Sequence, residues 1–155
     1  NELKQLQGDI NTEDGKTILD IYDALFSSAS SYLADDTENA AKKLLDIDES
    51  TLKNDYAKKV YNRIKDNTFV AMSEKLYQQG YSYYSSGDYG NAIKTLKEAV
   101  KYDETNVKAL YFLGRGFQKQ QKYDKAKKYY ETIINDFPDS DRVALSKAKL
   151  TEMGY

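Results

Sequence analysis

Apolar side chains recur at helical spacing through the first half of the chain, with polar side chains between them. Three stripes are visible: Ile18, Ile21, Tyr22, Leu25, Ala29, Tyr32 and Leu33; then Ala40, Ala41, Leu44 and Leu45; then Leu52, Tyr56, Val60, Tyr61 and Ile64. Spacings of three and four residues are typical of an amphipathic helix. The pattern predicts helices at 14–33, 36–46 and 51–66, joined by short polar turns. Residues 1–13 carry few apolar positions, and we expect them to fray.

The second half of the chain repeats itself with a period of 34 residues. Leu76, Gly80, Ala92, Leu96 and Ala99 recur as Leu110, Gly114, Ala126, Tyr130 and Ile133. Gly87-Asp88 supplies a helix stop followed by an N-cap, and Pro138 closes the second unit. Within 67–155 the repeat predicts two helical hairpins, at about 73–106 and 107–140, and a capping helix over 141–155. No clean 34-residue register extends into 14–66, which we interpret as degenerate helical repeats.

Gly80 and Gly114 occupy the same place in the two repeats. Glycine inside a helix costs about 1 kcal/mol relative to Ala, and it is tolerated mainly where a second helix approaches closely. We therefore interpret both glycines as packing residues. A nucleotide-binding loop at Gly114-Arg115-Gly116 is disfavoured, because these residues lie within a helical pattern and no strand precedes them.

Bulky residues followed four positions later by small ones, repeated every 34 residues, resemble the tetratricopeptide repeat over 73–140. The departures are Gln79, where the family prefers Leu, and Glu104, which replaces the closing Pro of the first unit. The resemblance implies an all-α, right-handed α-solenoid of stacked helical hairpins, with about eight helices, that serves as a protein-interaction or scaffold module. The run from Tyr123 to Ser140 is also similar to repeats of bacterial cell-envelope tetratricopeptide proteins.

The absence of His and Cys removes most catalytic and metal-binding chemistry. The chain has no means to build a Ser-His-Asp arrangement, a thiol nucleophile or a zinc site. Asp46 and Asp48 match the opening of a calcium loop, but Thr51 stands where that loop needs Gly and Ala57 where it needs Glu. Helix capping explains these residues better. The same explanation covers Asp35-Asp36 and Asp139-Ser140-Asp141. We predict no enzyme activity, no cofactor and no metal.

Charge is distributed unevenly: residues 1–50 carry 12 acidic and 4 basic side chains, whereas 51–155 carry 13 and 19. Basic and acidic positions are interleaved on the predicted helix faces, so we predict no nucleic-acid binding. No apolar run approaches the roughly 20 residues of a membrane-spanning helix. Because the chain begins at Asn1 rather than Met, we expect a processed or truncated product that has lost an upstream signal or anchor. An extracytoplasmic or membrane-anchored location is favoured over a cytoplasmic one.

The resemblance also implies where a partner would bind. In the family, the concave face is lined by the second, fifth, ninth, twelfth and thirteenth positions of each first helix. On this chain they give an aromatic and basic groove, with partner-binding residues Tyr77, Tyr81, Tyr84, Lys108, Tyr111, Arg115, Lys119, Arg142 and Lys149. Such a surface suits a peptide segment that bears acidic groups. Four other tyrosines fall on packing positions and are expected in the core: Tyr83, Tyr89, Tyr123 and Tyr130.

Two alternatives compete with a peptide-binding groove. In the first, the tyrosine-rich face is an internal seam, or the self-association surface of a structural domain in a larger envelope protein. In the second, the protein is a hydrolase, which needs two carboxylates facing each other about 5 to 10 Å apart. The acids of the groove, Glu74 and Glu152, come from opposite ends of the predicted array, so the hydrolase is the least favoured. Peptide binding without catalysis is the preferred function.

Overall fold

Helices make up most of the fold. The structure is a computed structural model that describes the backbone of residues 13–155 and the side chains from Ile18 onward; residues 1–12, most of the segment expected to fray, lie outside the described residues. The α-helices of the described part are α1 Glu13–Leu33, α2 Thr37–Leu45, α3 Asp55–Ser85, α4 Tyr89–Tyr102, α5 Val107–Lys119, α6 Tyr123–Asp136 and α7 Arg142–Glu152. A 3-10 turn, Glu49–Thr51, precedes α3. Residues 13–155 contain no strand, and the expected all-α class is confirmed.

Helix α3 is longer than the sequence pattern predicts. The pattern ends one helix at residue 66 and begins another near 73, whereas α3 continues through both for 31 residues. Neither Gly nor Pro interrupts this stretch, and its polar residues satisfy the helix itself: Asn67 donates to the Arg63 carbonyl at 2.6 Å and Thr68 to the Ile64 carbonyl at 2.8 Å. The expected break is therefore wrong, and the described residues contain seven α-helices rather than about eight.

Three helical hairpins, α1–α2, α3–α4 and α5–α6, share one kind of turn. Asp35, Gly87 and Gln121 each have a positive φ, of 61°, 85° and 59°. In each turn the next N–H returns to a carbonyl five residues earlier at 2.9 Å: Asp36 to Ser31, Asp88 to Tyr83 and Lys122 to Phe117. This is the Schellman arrangement, which ends a helix and reverses the chain. The first hairpin thus ends its first helix as both repeats do.

The α1–α2 hairpin also shares the packing register of the repeats, counted from the turn. Seven residues before the positive-φ residue stands a small, buried one: Ser28, Gly80 or Gly114. Nine residues after it stands a fully buried large one: Leu44, Leu96 or Tyr130. Ser28 donates its hydroxyl to the Ala40 carbonyl at 2.8 Å, which satisfies this polar atom inside the core. The repeated positions are 52 residues apart between the first and second hairpins, which is why the 34-residue period does not reveal them.

The chain divides into two compact units, with the boundary between Phe69 and Val70 inside α3. Leu44, Leu52 and Ile64 are the largest fully buried apolar residues of the first unit. In the second unit, consecutive helices pack against each other as in a tetratricopeptide-type solenoid, and α7 contacts both α5 and α6. None of the helices in the described residues is long and apolar enough to cross a membrane.

Gly80 and Gly114 lie where two helices meet most closely. A Cβ on Gly80 would stand 2.6 Å from Cγ of Leu96, and one on Gly114 would stand 2.7 Å from Cε1 of Tyr130. Such distances are far below van der Waals contact, so only Gly fits without displacement. The interpretation as packing residues is confirmed, and Gly114-Arg115-Gly116 lies within α5 rather than in a nucleotide-binding loop.

Candidate functional site

Five aromatic rings of the second unit form a cluster around Phe112 on α5. The ring centroids of Tyr81, Tyr84 and Tyr111 lie 4.8, 5.1 and 5.5 Å from that of Phe112, all nearly edge-to-face, and Tyr77 lies at 6.1 Å. Tyr77, Tyr81 and Tyr84 are spaced by four and three residues on α3, so they share one helix face. These five residues, called the aromatic cluster below, join α3 to α5.

Cationic side chains rest on the rings of this cluster. The Arg115 guanidinium carbon lies 5.6 Å from the Tyr84 centroid and 6.0 Å from that of Tyr111, and Arg142 lies 5.4 Å from Tyr111. Lys108 Nζ is 5.7 Å from the Tyr77 ring. Arg115 also donates to the Tyr111 hydroxyl at 3.5 Å. Aromatic faces orient a cation without neutralising it. No carboxylate of the described residues forms an ion pair with Arg115.

A cleft of about 370 Å³ opens beside Arg115. Its lining is Arg115, Gln118, Lys119, Tyr123, Lys149, Glu152 and Met153. The Lys149 ammonium donates to Glu152, which also accepts from the Gln118 amide at 3.2 Å. Within the described part of the chain, Lys119 forms no ion pair. The cleft therefore contains three cations and one carboxylate, which leaves it electropositive.

The protonation states of the site follow from burial and hydrogen bonding. The hydrogen bond from Lys149 lowers the pKa of Glu152, so this carboxylate is ionised at neutral pH. Burial raises the pKa of Tyr77 and Tyr84, although the nearby charges of Arg142 and Arg115 respectively oppose the rise. Both phenols therefore stay neutral at neutral pH, and the excess positive charge of the cleft is retained.

The predicted groove residues all lie in the second unit and are linked through these contacts. Tyr81, Lys108 and Lys119 are exposed, and Tyr84, Arg115, Arg142 and Lys149 are half-buried. Tyr77 and Tyr111 are buried. These two rings carry Lys108, Arg115 and Arg142 from beneath, whereas the other seven side chains remain accessible to a partner.

The four tyrosines expected in the core differ in burial. Tyr130 is fully buried against Gly114, as predicted, and its hydroxyl donates to Gln118 at 3.0 Å. Tyr83 and Tyr89 are only half-buried, and Tyr123 is 45% exposed and lines the cleft. The expectation is therefore wrong for Tyr123 and too strong for the other two. Tyr89 and Tyr123 are the first residues of α4 and α6, so no preceding helical turn covers them.

Phe112 is the central residue that the sequence reasoning misses. The repeat places Gln78 at the equivalent position of the first unit, so the period offers no aromatic signal there. A usable signal exists on α5 itself, because Phe112 stands four residues after Lys108 and three before Arg115. It therefore shares a helix face with two predicted groove residues.

The remaining acidic positions have structural partners. Glu74 lies 3.9 Å from Lys108, and Glu152 pairs with Lys149, so each acid of the proposed hydrolase alternative has a cation beside it. Asp36 and Asp48 accept from the backbone N–H groups of Asn39 and Ser50 and thus cap their helices, as predicted.

Two other capping assignments need correction. Asp46 follows the end of α2 rather than opening a helix. Asp141 precedes α7 without a side-chain cap, and it is the Ser140 hydroxyl that accepts from the Arg142 N–H at 3.2 Å. Among the described side chains no group of three or more acidic residues is arranged to hold a metal ion.

Comparison with known proteins agrees with this geometry. A family model described as a tetratricopeptide repeat matches residues 83–150, from the end of α3 into α7. Among curated protein sequences, none matches the chain. The match contains both Gly114 and the cationic residues Arg115, Lys119 and Lys149. It includes Tyr84 of the aromatic cluster but not Tyr77 or Tyr81.

Proposed function

Because residues 83–150 belong to the tetratricopeptide repeat family, we propose that the protein is an interaction module that binds an acidic peptide segment of a partner. Repeats of this family generally mediate protein–protein interaction or scaffolding, and they are generally non-catalytic. The binding surface, called the groove below, comprises Tyr81, Tyr84, Arg115, Lys119 and Lys149. Binding energy comes from a preformed surface, with no covalent chemistry.

The observation that carries the proposal is the position of Arg115. Its guanidinium lies against Tyr84 and Tyr111, so its orientation is fixed before any ligand arrives. Its hydrogen bond to the neutral Tyr111 hydroxyl leaves the positive charge unpaired within the described residues. A fixed, half-buried and unpaired guanidinium is well suited to a carboxylate, because little rotamer entropy is lost when the ion pair forms.

Lys119 extends this positive surface along α5. It is exposed, stands four residues after Arg115 and therefore lies on the same helix face. Lys149 is already paired with Glu152, so it contributes less net charge to the cleft. A peptide with two neighbouring acidic side chains would satisfy Arg115 and Lys119 together.

Tyr81 supplies apolar contact area next to the cationic residues. Its ring is 42% exposed while its edge-to-face contact with Phe112 holds it in position. Fixed aromatic side chains give a large contact area at low entropic cost, and they are common among the residues that dominate interfaces. The groove thus favours a segment that carries an apolar side chain near its acidic ones.

The test uses two peptides of equal length, one with Asp and Glu positions around a central Leu and one with Asn and Gln in their place. Titration calorimetry should show binding of the acidic peptide, and its affinity should fall as salt rises, because the contact is between charges. The amide peptide should bind more weakly. Equal affinity for both peptides would refute acidic recognition.

A charge-matched pair of variants locates the binding to the groove. Arg115→Gln with Lys119→Gln should weaken the acidic peptide, whereas Lys94→Gln with Lys101→Gln removes two exposed charges from α4 and should not. If both double variants lose the same affinity, the effect belongs to net charge and the groove assignment fails.

A further inference from the structure

Helix α1 presents an exposed apolar stripe that no side chain of the described residues covers. Leu19, Phe26 and Leu33 follow each other at seven-residue intervals, so they form a line along one side of the helix. Phe26 is 75% exposed and Leu33 is 86% exposed. The opposite side of α1 is buried through Leu25 and Ser28. An apolar line of this kind on a soluble helix typically marks an interface.

The charge beside this stripe is entirely negative. Asp20 and Asp23 are exposed, lie on one flank of the stripe and form no ion pair among the described side chains. No Lys or Arg occurs between Ile18 and Thr37. A partner that covers the stripe must therefore bring basic side chains beside apolar ones, or these carboxylates lose water without compensation.

The first turns of α3 have this composition. Tyr56 is 76% exposed, and Lys59 and Arg63 are exposed at three and seven residues after it, on the same helix face. Neither cation forms an ion pair within the described part of the chain. The α3 face, defined as Tyr56, Lys59 and Arg63, is thus complementary in charge to the α1 stripe and also carries a large aromatic ring.

The two surfaces border each other on the first unit. The Tyr22 hydroxyl of α1 accepts from the Asn54 N–H, just before α3, at 3.4 Å. Tyr22 is close to the α1 stripe in helical projection, and Asn54 is two residues from Tyr56. One molecule therefore carries both halves of a complementary contact side by side, which is what a two-fold symmetric interface requires.

We propose that a second copy of this chain covers the stripe: the α1 stripe of each copy packs on the α3 face of the other in a two-fold dimer. Each contact would occur twice, so its favourable energy also counts twice. The surface lies in the first unit and is separate from the groove of the second unit. A dimer would carry two grooves, and a partner with two acidic segments would gain avidity.

Mass measurement of the full chain tests the proposal first. Sedimentation or light scattering from about 1 μM to about 1 mM should show a concentration-dependent rise toward twice the 17.8 kDa chain mass. Phe26→Asp should raise the dimer dissociation constant by roughly 30-fold or more. Leu145→Asp, an exposed apolar residue of α7, is the matched control and should dimerise like the wild type. A monomer at every concentration, or equal loss in both variants, would overturn the proposal.

Charge exchange between the two surfaces gives the decisive version. Asp20→Lys with Asp23→Lys should be monomeric, and so should Lys59→Glu with Arg63→Glu, because each variant would oppose like charges at both contacts. An equimolar mixture of the two variants should dimerise again, since one contact is then native and the other has reversed but opposite charges. Thermal melts of the separate variants check that each is folded. A mixture of folded variants that stays monomeric would overturn the proposed pairing.

Discussion

Gly114 and Tyr130 show how single residues set the distance between helices. Tyr130 is fully buried, and its ring lies where a side chain on Gly114 would have to go. The same relation holds 34 residues earlier between Gly80 and Leu96. These contacts were predictable from sequence, because glycine within a helical pattern indicates close approach. The exposure of Tyr123 was not predictable, since the repeat period does not show which residue opens a helix.

Gly114→Ala should destabilise the fold although Ala favours helix by about 1 kcal/mol. The added Cβ would collide with the Tyr130 ring, and overpacking typically costs about 1 to 3 kcal/mol. Gly90→Ala is the matched control, because its Cβ would meet only Asp88 Oδ1, at 3.6 Å. Chemical denaturation should show a loss for Gly114→Ala and none for Gly90→Ala. A stabilised Gly114→Ala would disprove the close approach of α5 and α6.

Tyr130 should also make the fold sensitive to alkali. Burial raises its pKa above the ordinary 10.0, so the folded state favours the neutral phenol. This contribution to stability is fully present below pH 10.0 and is lost as pH rises through and beyond that value. Denaturant unfolding at neutral and alkaline pH should show a smaller alkaline loss for Tyr130→Phe than for the wild type. Equal losses would contradict the burial of this hydroxyl.

At the scale of helices and turns, the sequence predicts the hairpins well and the helix ends less well. The 34-residue period and the Gly87-Asp88 stop locate α4, α5 and α6 closely. The predicted break near residue 70 fails, because Asn67 and Thr68 bond back to the helix instead of ending it. The first hairpin escapes the repeat search, since its turn has Asp35 where the second hairpin has Gly.

Exchanging residues between equivalent turns should change stability in opposite directions. Gln121→Gly relieves a positive φ of 59° and should raise the free energy of unfolding by about 1 kcal/mol. Gly87→Gln imposes the same strain at a φ of 85° and should lower it by a similar amount. Nothing lies within 4 Å of a Cβ on Gly87, so sterics with neighbours do not confuse the result. Denaturation curves that move in the same direction would rule out the shared turn.

We propose that α7 caps the second unit. It packs on α5 and α6, and the fully buried Ile133 and Tyr130 lie on α6. Deleting residues 141–155 should cost several kcal/mol, because large apolar side chains would meet water. Deleting only 154–155 removes the exposed hydrogen bond from Tyr155 to Asp124 and should cost little. An unchanged melting temperature after the long deletion would refute the capping role.

For the molecule as a whole, the chain combines a positive groove in one unit with a negative apolar stripe in the other. The groove follows from family positions, which is why its cationic residues could be named from sequence. Phe112 could not, because its importance comes from four tyrosines that converge on it from two helices. The α1 stripe was equally hidden, since Leu33 fits the same helical pattern as the buried Leu25.

Binding of the acidic peptide by Tyr81→Ala, measured with its melting temperature, tests the central claim most directly. Tyr81 is 42% exposed beside the cationic residues, so its loss should weaken binding by roughly 30-fold while the melting temperature stays near that of the wild type. Tyr77→Ala, at a buried ring of the same cluster, should instead lower the melting temperature. Strong destabilisation of Tyr81→Ala with unchanged peptide affinity would contradict the account and make this tyrosine surface an internal seam.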